Sequence, residues 1–527
     1  MKVKAAVAMI VTQMLLAGFV FAEVEVTSKE ISFSPENQVE KVARIEVNCS
    51  TAENNIFLLI KDEQGKMVTC LPSGPLAAGK NTIEWDGRDA YGKLTPKGRY
   101  HVYLSRNLEW KLDKTFGLDG RIGRFVFEDA INDPQKAEFK VPGVLIGVRV
   151  NNEKLYDAAF HKSDEDWAAG KNYSFKGGVL TLNPRAGLKK GDRVRVDFYF
   201  PVFFQNPWDM DIDSQGNLWV ILHWQAPDSP YVWGRLIKLL PKGDKLDEKF
   251  ASNGEIRAFS RSNNQIVISE AERRIYIGGS DVDAYATGVF ALDTGERLYY
   301  LGGYFPGTQK TTYAVSGICL GEQNKIYIRI LGSTVFAYDR NTGTKNADDN
   351  GYMYSSMPTG QNNTLPPLYG VYWGPSLATS TSKNMFYMTA WNSNLYKVMD
   401  TGEKFMVLYG LVISEDDPIG MSFAPELNLL FVALRCCRGE IAVIYDSGSS
   451  LKEVMRLKDS ELGGLHTVKW HDGFLYVLED GAEVPDGYIA KKLKDKGYSD
   501  IIQGKNRISR YSVGFQKETM ACTIIRE

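Results

Sequence analysis

Histidine is scarce in this chain, with five among 527 residues. None of the five stands at the His-x-x-x-His spacing that sets two imidazoles on one helix face for zinc. His466 and His471 flank "TVKW", a spacing that pairs no metal ligands. There is no Gly-x-Ser-x-Gly elbow, no Cys-x-x-Cys pair and no phosphate-cradling glycine loop. The glycine-rich "LGGYFPG" at 301 to 307 falls between strand patterns and reads as a connection. An excess of either charge is missing too: 62 Lys and Arg oppose 64 Asp and Glu, a net charge of −2. Without a broad cationic face, nucleic acid is not an expected partner.

Six cysteines are too few for a disulfide scaffold at this length. Cys49 and Cys70 lie on neighbouring predicted strands, so a disulfide and two buried thiols both fit. Cys436 and Cys437 are adjacent. Consecutive Cα atoms sit about 3.8 Å apart, short of the usual disulfide range, which favours free or separately paired thiols over a strained redox ring.

Long apolar runs are confined to the start, "MKVKAAVAMIVTQMLLAGFVFAEVEV". Lys2 and Lys4 form a positive head, a short apolar stretch follows, and Val20 and Ala22 occupy the small-residue positions of a cleavage site. Residues 1 to 22 therefore read as a cleaved signal peptide. A membrane anchor fits less well, because Gln13 interrupts a run already short for a span. No cysteine follows "LLAG", which argues against a lipoprotein. The expectation is an exported protein, secreted or held in the periplasm or cell envelope, with no membrane span.

What remains is rich in strand signals, and the length suggests two to four domains. From 23 to 107, "ARIEVNCS", "NIFLLIKDEQGKMVTCL", "NTIEWDG" and "GRYHVYL" alternate apolar with polar residues between Gly, Asn, Asp and Pro turns. Trp85-Asp86-Gly87, Asp89, Gly92, Pro96, Gly98 and Tyr100, with the "DEQGKMV" hairpin at 62 to 68, resemble the immunoglobulin-like repeat of flagellar hook-capping proteins. That repeat also occurs as an accessory module, and nothing else in the chain looks flagellar. The resemblance covers roughly 80 residues and implies a β-sandwich. Residues 108 to 200 read as a second small sandwich, with hairpin turns at Asn151-Asn152 and Gly177-Gly178.

From 201 to 516 one pattern recurs six times. "PWDMDIDSQGNLWVILHW" is followed by copies beginning at 264, 315, 374, 419 and 465, each with a partner strand such as "STVFAYDRNTG" or "GEIAVIYDSGS". One such sheet cannot bury both faces alone, so the repeats imply a six-bladed β-propeller. The first copy resembles an NHL repeat through Pro207, Asp213, Gly216 and Asn217; later copies lose the Pro and Asp. The fold class is thus all-β: immunoglobulin-like sandwich modules, then a six-bladed propeller, with 517 to 527 as a C-terminal tail.

Asp209, Asp211 and Asp213 also match the first half of a calcium loop, but the late bidentate Glu is absent, and an Asp at such a turn usually bonds its own backbone. No cofactor is expected beyond that possible Ca or other divalent ion. Polar residues on the first strands are Asp209, Gln265, Ser316, Ser376, Ser422, His466 and Thr467. Asp209 with His466 suits polarising a sugar hydroxyl or, with another carboxylate, a metal. Trp208, Trp224, Trp233, Trp373 and Trp391, with Tyr231, Tyr369 and Tyr372, lie in or beside loops, suited to stacking on sugars, anchoring a protein or packing between blades. Residues 481 to 505 form a helical insertion, a solvated segment or a lid. The leading expectation is a non-enzymatic binding or scaffold protein whose propeller face holds a protein or glycan. A propeller-channel hydrolase or lyase acting on a sugar or lactone with a divalent metal is the alternative, and a structural adhesion component is a third reading.

Overall fold

The structure is a computed structural model and describes residues 24–36, 41–73, 75–116, 124–141, 144–151, 153–155, 173–176, 178–184, 187–199, 207–225, 232–241, 246–247, 249–251, 254–259, 265–278, 287–301, 315–330, 335–342, 352–355, 377–380, 384–390, 394–413, 418–434, 439–479 and 506–527. Residues 1 to 22, read above as a signal peptide, Cys436 and Cys437, and residues 481 to 505, read as an insertion, fall outside these residues. The chain divides into two compact units, one of residues 1–109, 425–428 and 514–527, the other of 110–424 and 429–513.

The first unit starts with β1 (Val24–Val26), β2 (Glu30–Phe33), β3 (Ala43–Cys49), β4 (Ile56–Lys61), β5 (Met67–Ser73), β6 (Gly79–Trp85) and β7 (Gly98–Arg106). Strict alternation in "ARIEVNC" buries every second residue of β3, as a half-buried strand requires. In β4, "IFLLI" is buried on both faces. Trp85 and Tyr100 cap the core edge to face, with ring centroids 5.1 Å apart. The turn residues behave as their chemistry dictates: Asp89 accepts the N–H groups of Tyr91 and Lys93, and Asp62 those of Gln64 and Lys66. Gly87 has φ +77°, and a Cβ there would press within 3.0 Å of Pro35.

Next come β8 (Leu108–Phe116) and the seven strands β9 (Arg124–Ala130), β10 (Glu138–Lys140), β11 (Val144–Val150), β12 (Glu153–Leu155), β13 (Tyr173–Lys176), β14 (Val179–Leu182) and β15 (Arg193–Tyr199). The seven form two sheets, β12-β11-β15-β9 and β10-β14-β13, around a core that includes Leu145, Val148, Leu180 and Val196.

Among the described residues, six four-stranded sheets account for most of the remaining chain. They are β16 (Pro207–Ile212), β17 (Leu218–Gln225), β18 (Val232–Leu239) and β19 (Glu255–Phe259); β20 (Gln265–Ser269), β21 (Arg274–Gly278), β22 (Thr287–Ala291) and β23 (Arg297–Leu301); β24 (Val315–Leu320), β25 (Lys325–Ile330), β26 (Val335–Asp339) and β27 (Tyr352–Ser355); β28 (Leu377–Thr379), β29 (Met385–Ala390), β30 (Asn394–Asp400) and β31 (Phe405–Val412); β32 (Pro418–Ala424), β33 (Leu429–Leu434), β34 (Glu440–Asp446) and β35 (Leu451–Lys458); and β36 (Leu465–His471), β37 (Phe474–Glu479) and β38 (Arg507–Phe515), completed by β8. Each first strand lies beside the next, and β36 lies beside β16. The fold of this unit is all-β and propeller-like.

Two boundaries differ from the sequence reading. Residues 108 to 116 do not open the second sandwich but supply the outer strand of the sixth sheet. Trp110 stacks on Tyr511 at 4.1 Å, and Arg510 Nε donates to Asp113 Oδ2 at 2.6 Å. Residues 517 to 527 are not a tail. They form β39 (Thr519–Arg526), which runs parallel to β2 and antiparallel to β7 in the sheet β2-β39-β7-β4-β5 and puts Cys522 and Ile524 into the core. Both partner strands precede it by more than four hundred positions, a pairing that local pattern does not encode.

The disulfide expected as one option is also absent, since Cys49 and Cys70 are free buried thiols. Cys49 lies on β3 of the sheet β1-β3-β6, whereas Cys70 lies on β5 of the other sheet. Leu71 joins Cys49 in the core between them, so its neighbour Cys70 faces the opposite side of its sheet. Burial pushes the Cys70 thiol well above its ordinary range.

Neighbouring propeller-like sheets are joined by buried carboxylates. Asp400, at the end of β30, accepts Tyr327 Oη at 2.7 Å, Lys325 Nζ at 2.9 Å and the Tyr354 hydroxyl, all from the preceding sheet. Asp446 repeats this one sheet later, accepting Tyr387 Oη at 2.8 Å, Tyr409 Oη at 2.7 Å and the Lys397 ammonium. Burial by itself raises the Asp400 carboxyl; the Tyr354 hydroxyl, Lys325 ammonium, Tyr327 hydroxyl and Gly402 N–H outweigh it and hold it below the usual range.

Two outcomes are expected. Asp400→Ala strands Lys325 without its partner and costs about 3–5 kcal/mol, against about 1 kcal/mol for Tyr354→Phe, in urea unfolding. Because the Asp400 pKa is depressed, its contribution is present above the unfolded value and is lost as pH falls through the folded one, so wild type and Asp400→Asn converge in acid. Deleting residues 517–527 removes an internal strand of the first unit. Limited proteolysis is expected to cut within 24–106 in that variant and not in the full chain.

Candidate functional site

Three hydrogen bonds and one ion pair fix how the first strands sit against one another. Asp209 Oδ2 accepts Ile266 N–H at 2.9 Å and Asp211 Oδ2 accepts Ile268 N–H at 2.8 Å, so β16 and β20 advance in step. Lys469 Nζ lies 3.9 Å from Asp211 Oδ1, which places Thr467 level with Asp209. Ser422 Oγ accepts Trp470 N–H at 3.0 Å between β32 and β36. Gly420 packs so closely that a Cβ would meet Thr467 Cα at 2.3 Å. The consequence is one level shared by Thr467, Asp209 and the start of β20 at Gln265.

That level is polar and buried. Asp209 and Gln265 are 1% exposed and Thr467 is fully enclosed. Asp209 Oδ1, Gln265 Oε1 and Nε2, and Thr467 Oγ1 have no hydrogen-bond partner among the described residues. Such atoms are costly to bury unpaired, typically 1–3 kcal/mol each, and mark a place where something besides packing shapes the sequence. Next to them in the chain, the partly buried Trp208 ring meets the buried His466 ring at 4.3 Å.

Electrostatics set Asp209 apart. Burial pushes its carboxyl up to about 6, Lys469 and the N–H groups of Ile266 and Met210 pull it back only in part, and Asp211 adds to the rise. Lys469 moves the other way: burial lowers its pKa, but Asp211 and Asp209 outweigh that and leave it raised. The arrangement can donate and accept hydrogen bonds with little net charge, and Asp209 can hold or release a proton near neutrality.

The sequence-selected residues separate accordingly. Asp209, Gln265, His466 and Thr467 come together on three consecutive strands, with Trp208 beside them. The three aspartates proposed for a metal do not converge: Asp209 and Asp211 bind backbone of β20. Asp213 closes its own turn, accepting Gln215 and Asn217 N–H, Asn217 Nδ2 at 2.7 Å and Trp219 Nε1 at 3.0 Å. Among the described residues no three His, Cys, Asp or Glu side chains gather as a metal would require. Ser422 is a strand tie. Trp224 lies on β17 and Trp233 on β18, whereas Trp373, Trp391, Ser376, Tyr231, Tyr369 and Tyr372 lie outside the described residues. Lys469 was missed, although aligning the starts of β16 and β36 puts Trp208 over His466, Asp209 over Thr467 and Asp211 over Lys469.

Comparison with known proteins bears on the modules separately. Residues 30–108 match the FlgD Ig-like domain family. The match covers the expected module and reaches the propeller-like sheets only at Leu108, the first residue of β8. No curated protein matches the chain. Among solved structures, the β-propeller domain of Cps50 (Swd1) from Myceliophteria thermophila is 8% identical with a TM-score of 0.37, over 59% of this chain and 97% of that one. A protein from Lactobacillus plantarum is 12% identical with a TM-score of 0.38, over 74% and 100%. BamB from Moraxella catarrhalis is 10% identical with a TM-score of 0.31, over 58% and 83%. At these identities the likeness concerns fold alone.

The raised Asp209 pKa gives a pH signature. The folded state holds this proton up to about pH 6, while the unfolded chain releases it near 3.9, so stability falls as pH rises between those values. Asp209→Asn keeps an acceptor for Ile266 and removes the penalty. Chemical unfolding is expected to show the variant equal to wild type near pH 4 and more stable by roughly 3 kcal/mol at pH 7.

Proposed function

We propose that the six four-stranded sheets are the blades of a six-bladed, NHL-like β-propeller in an exported protein, and that it works as a binding or scaffold protein. The buried polar level at the start of the first strands is its recognition site, for a glycan or a protein partner. The observation that carries this reading is the level of buried polar atoms on Thr467, Asp209 and Gln265, which have no partner among the described residues. Folding gains nothing from leaving them unpaired, whereas a ligand supplying the missing partners recovers their cost. The Ig-like module and the second sandwich are presenting elements, and the signal-peptide reading of residues 1–22 places the protein in the periplasm, envelope or exterior.

One observation favours a second reading. A carboxyl with a pKa of about 6 beside a histidine-bearing strand suits general acid or base work, as a sugar or lactone hydrolase or lyase needs.

A single pair of assays separates the two. Purified protein lacking residues 1–22 is probed on arrays of bacterial glycans and envelope proteins, and in parallel incubated with aldonolactones and oligosaccharides. Saturable binding without product formation is expected. Turnover abolished by Asp209→Asn would replace the binding reading with the enzymatic one.

A further inference from the structure

The chemistry of the ligand follows from what the buried atoms lack. This step rests on the binding reading and narrows it. Among the described residues Asp209 Oδ1 and Gln265 Oε1 lack a donor, Gln265 Nε2 lacks an acceptor, and Thr467 Oγ1, which takes either, has neither. An anion is disfavoured, because it would meet the Asp209 carboxyl while Lys469, the cation found near it among the described residues, is paired with Asp211. An ammonium ligand satisfies the two acceptors but leaves the Gln265 amide N–H without one. A multivalent metal lacks three converging ligands among the described residues. A hydroxyl donates and accepts at once, and two neighbouring hydroxyls match an acid–amide pair on adjacent strands.

We propose that Thr467, Asp209 and Gln265 form a recognition site for a neutral polyhydroxylated ligand, either the terminal sugar of a glycan or a free polyol. The strands that carry these side chains are held rigidly. Ile266 N–H is bonded to Asp209, and the β32 backbone at Gly420 presses on Thr467, so the groups are set before the ligand arrives. The competing occupant is ordered water, which also fills polar sites with several partners.

The test uses the full chain after removal of residues 1–22. Calorimetric titrations employ glucose, galactose, N-acetylglucosamine, their methyl glycosides and glucitol, with thermal melts of wild type, Gln265→Leu and Thr467→Val. The expected result is that at least one neutral sugar or polyol binds wild type and that Gln265→Leu weakens it about tenfold to a hundredfold. The melting temperature of the free variant is then equal or higher, because a leucine removes two unpaired polar atoms. Equal binding of methyl glycoside and parent sugar assigns a glycan terminus; preference for glucitol assigns a free polyol. A lower melting temperature for Gln265→Leu with no polyol binding means structural water and overturns the proposal. If Gln265→Leu does not fold, Thr467→Val carries the same affinity readout. Binding of an array partner that both variants retain would also overturn this proposal, while leaving the broader binding reading in place.

Discussion

A four-stranded sheet with two apolar faces has no stable life alone, so everything in the second unit depends on how each sheet is locked to the next. Apolar packing supplies area, as where Tyr327, Phe386 and Phe405 interlock between sheets. Area alone leaves the sheets free to slide and rotate. Buried carboxylates remove that freedom, because each can be satisfied in only one relative position. Asp400 and Asp446 gather two tyrosine hydroxyls and a lysine apiece. Glu272 and Arg340, 3.0 Å apart, join the second and third sheets. Asp209 and Asp211 join the first and second, Ser422 and Trp470 the fifth and sixth, and Lys469 with Asp211 the sixth and first. Polar geometry thus fixes the register that hydrophobic burial leaves open.

The same economy appears in how the chain is threaded. The outer strand of the sixth sheet, β8 (Leu108–Phe116), is made early, and its partner β38 (Arg507–Phe515) arrives more than three hundred and fifty positions later. The first unit likewise waits for β39, which sits between β2 and β7. Both closures pair strands at long sequence separation, and loop closure of this kind is costly in rate more than in equilibrium stability. Each unit is therefore incomplete until its last strand, β38 or β39, has been made, and both gain cooperativity from a strand that cannot fray without opening a core.

What could be read from the residues follows the range over which their signals act. The Ig-like turns were legible because Asp62, Asp86 and Asp89 bond backbone within four positions, and the six repeats because strand alternation is local. The aspartates closing the third strands in "VMD" and "IYD", Asp400 and Asp446, stand in the repeated pattern, although their tyrosine partners lie in another sheet and carry no adjacent mark. The long-range strands β8 and β39 were misassigned, since nothing in "LEWKLDKTF" or "TMACTIIR" names a partner. Asp209, Gln265, His466 and Thr467 were selectable as polar residues in apolar strands. Their common level was not, because it is set by Asp209 and Asp211 reaching across to Ile266 and Ile268. The aspartates illustrate the same limit: three in a row looked like ligands for one ion, whereas the carboxylates of two of them accept N–H groups of the neighbouring strand.

Asp209 shows how structure and recognition are combined in one side chain. Its Oδ2 is spent on the joint between the first two sheets, and its Oδ1 has no partner among the described residues. A residue kept only for the joint would do as well as asparagine or serine, as Ser422 does between β32 and β36, without the burial that lifts its carboxyl to about 6. The acid therefore brings a cost that the joint does not require. Gln265 and Thr467 share that position, since valine and leucine fill equivalent volume at no polar penalty. Three independent departures from the cheapest core, gathered at one level, are difficult to attribute to folding and simple to attribute to a ligand.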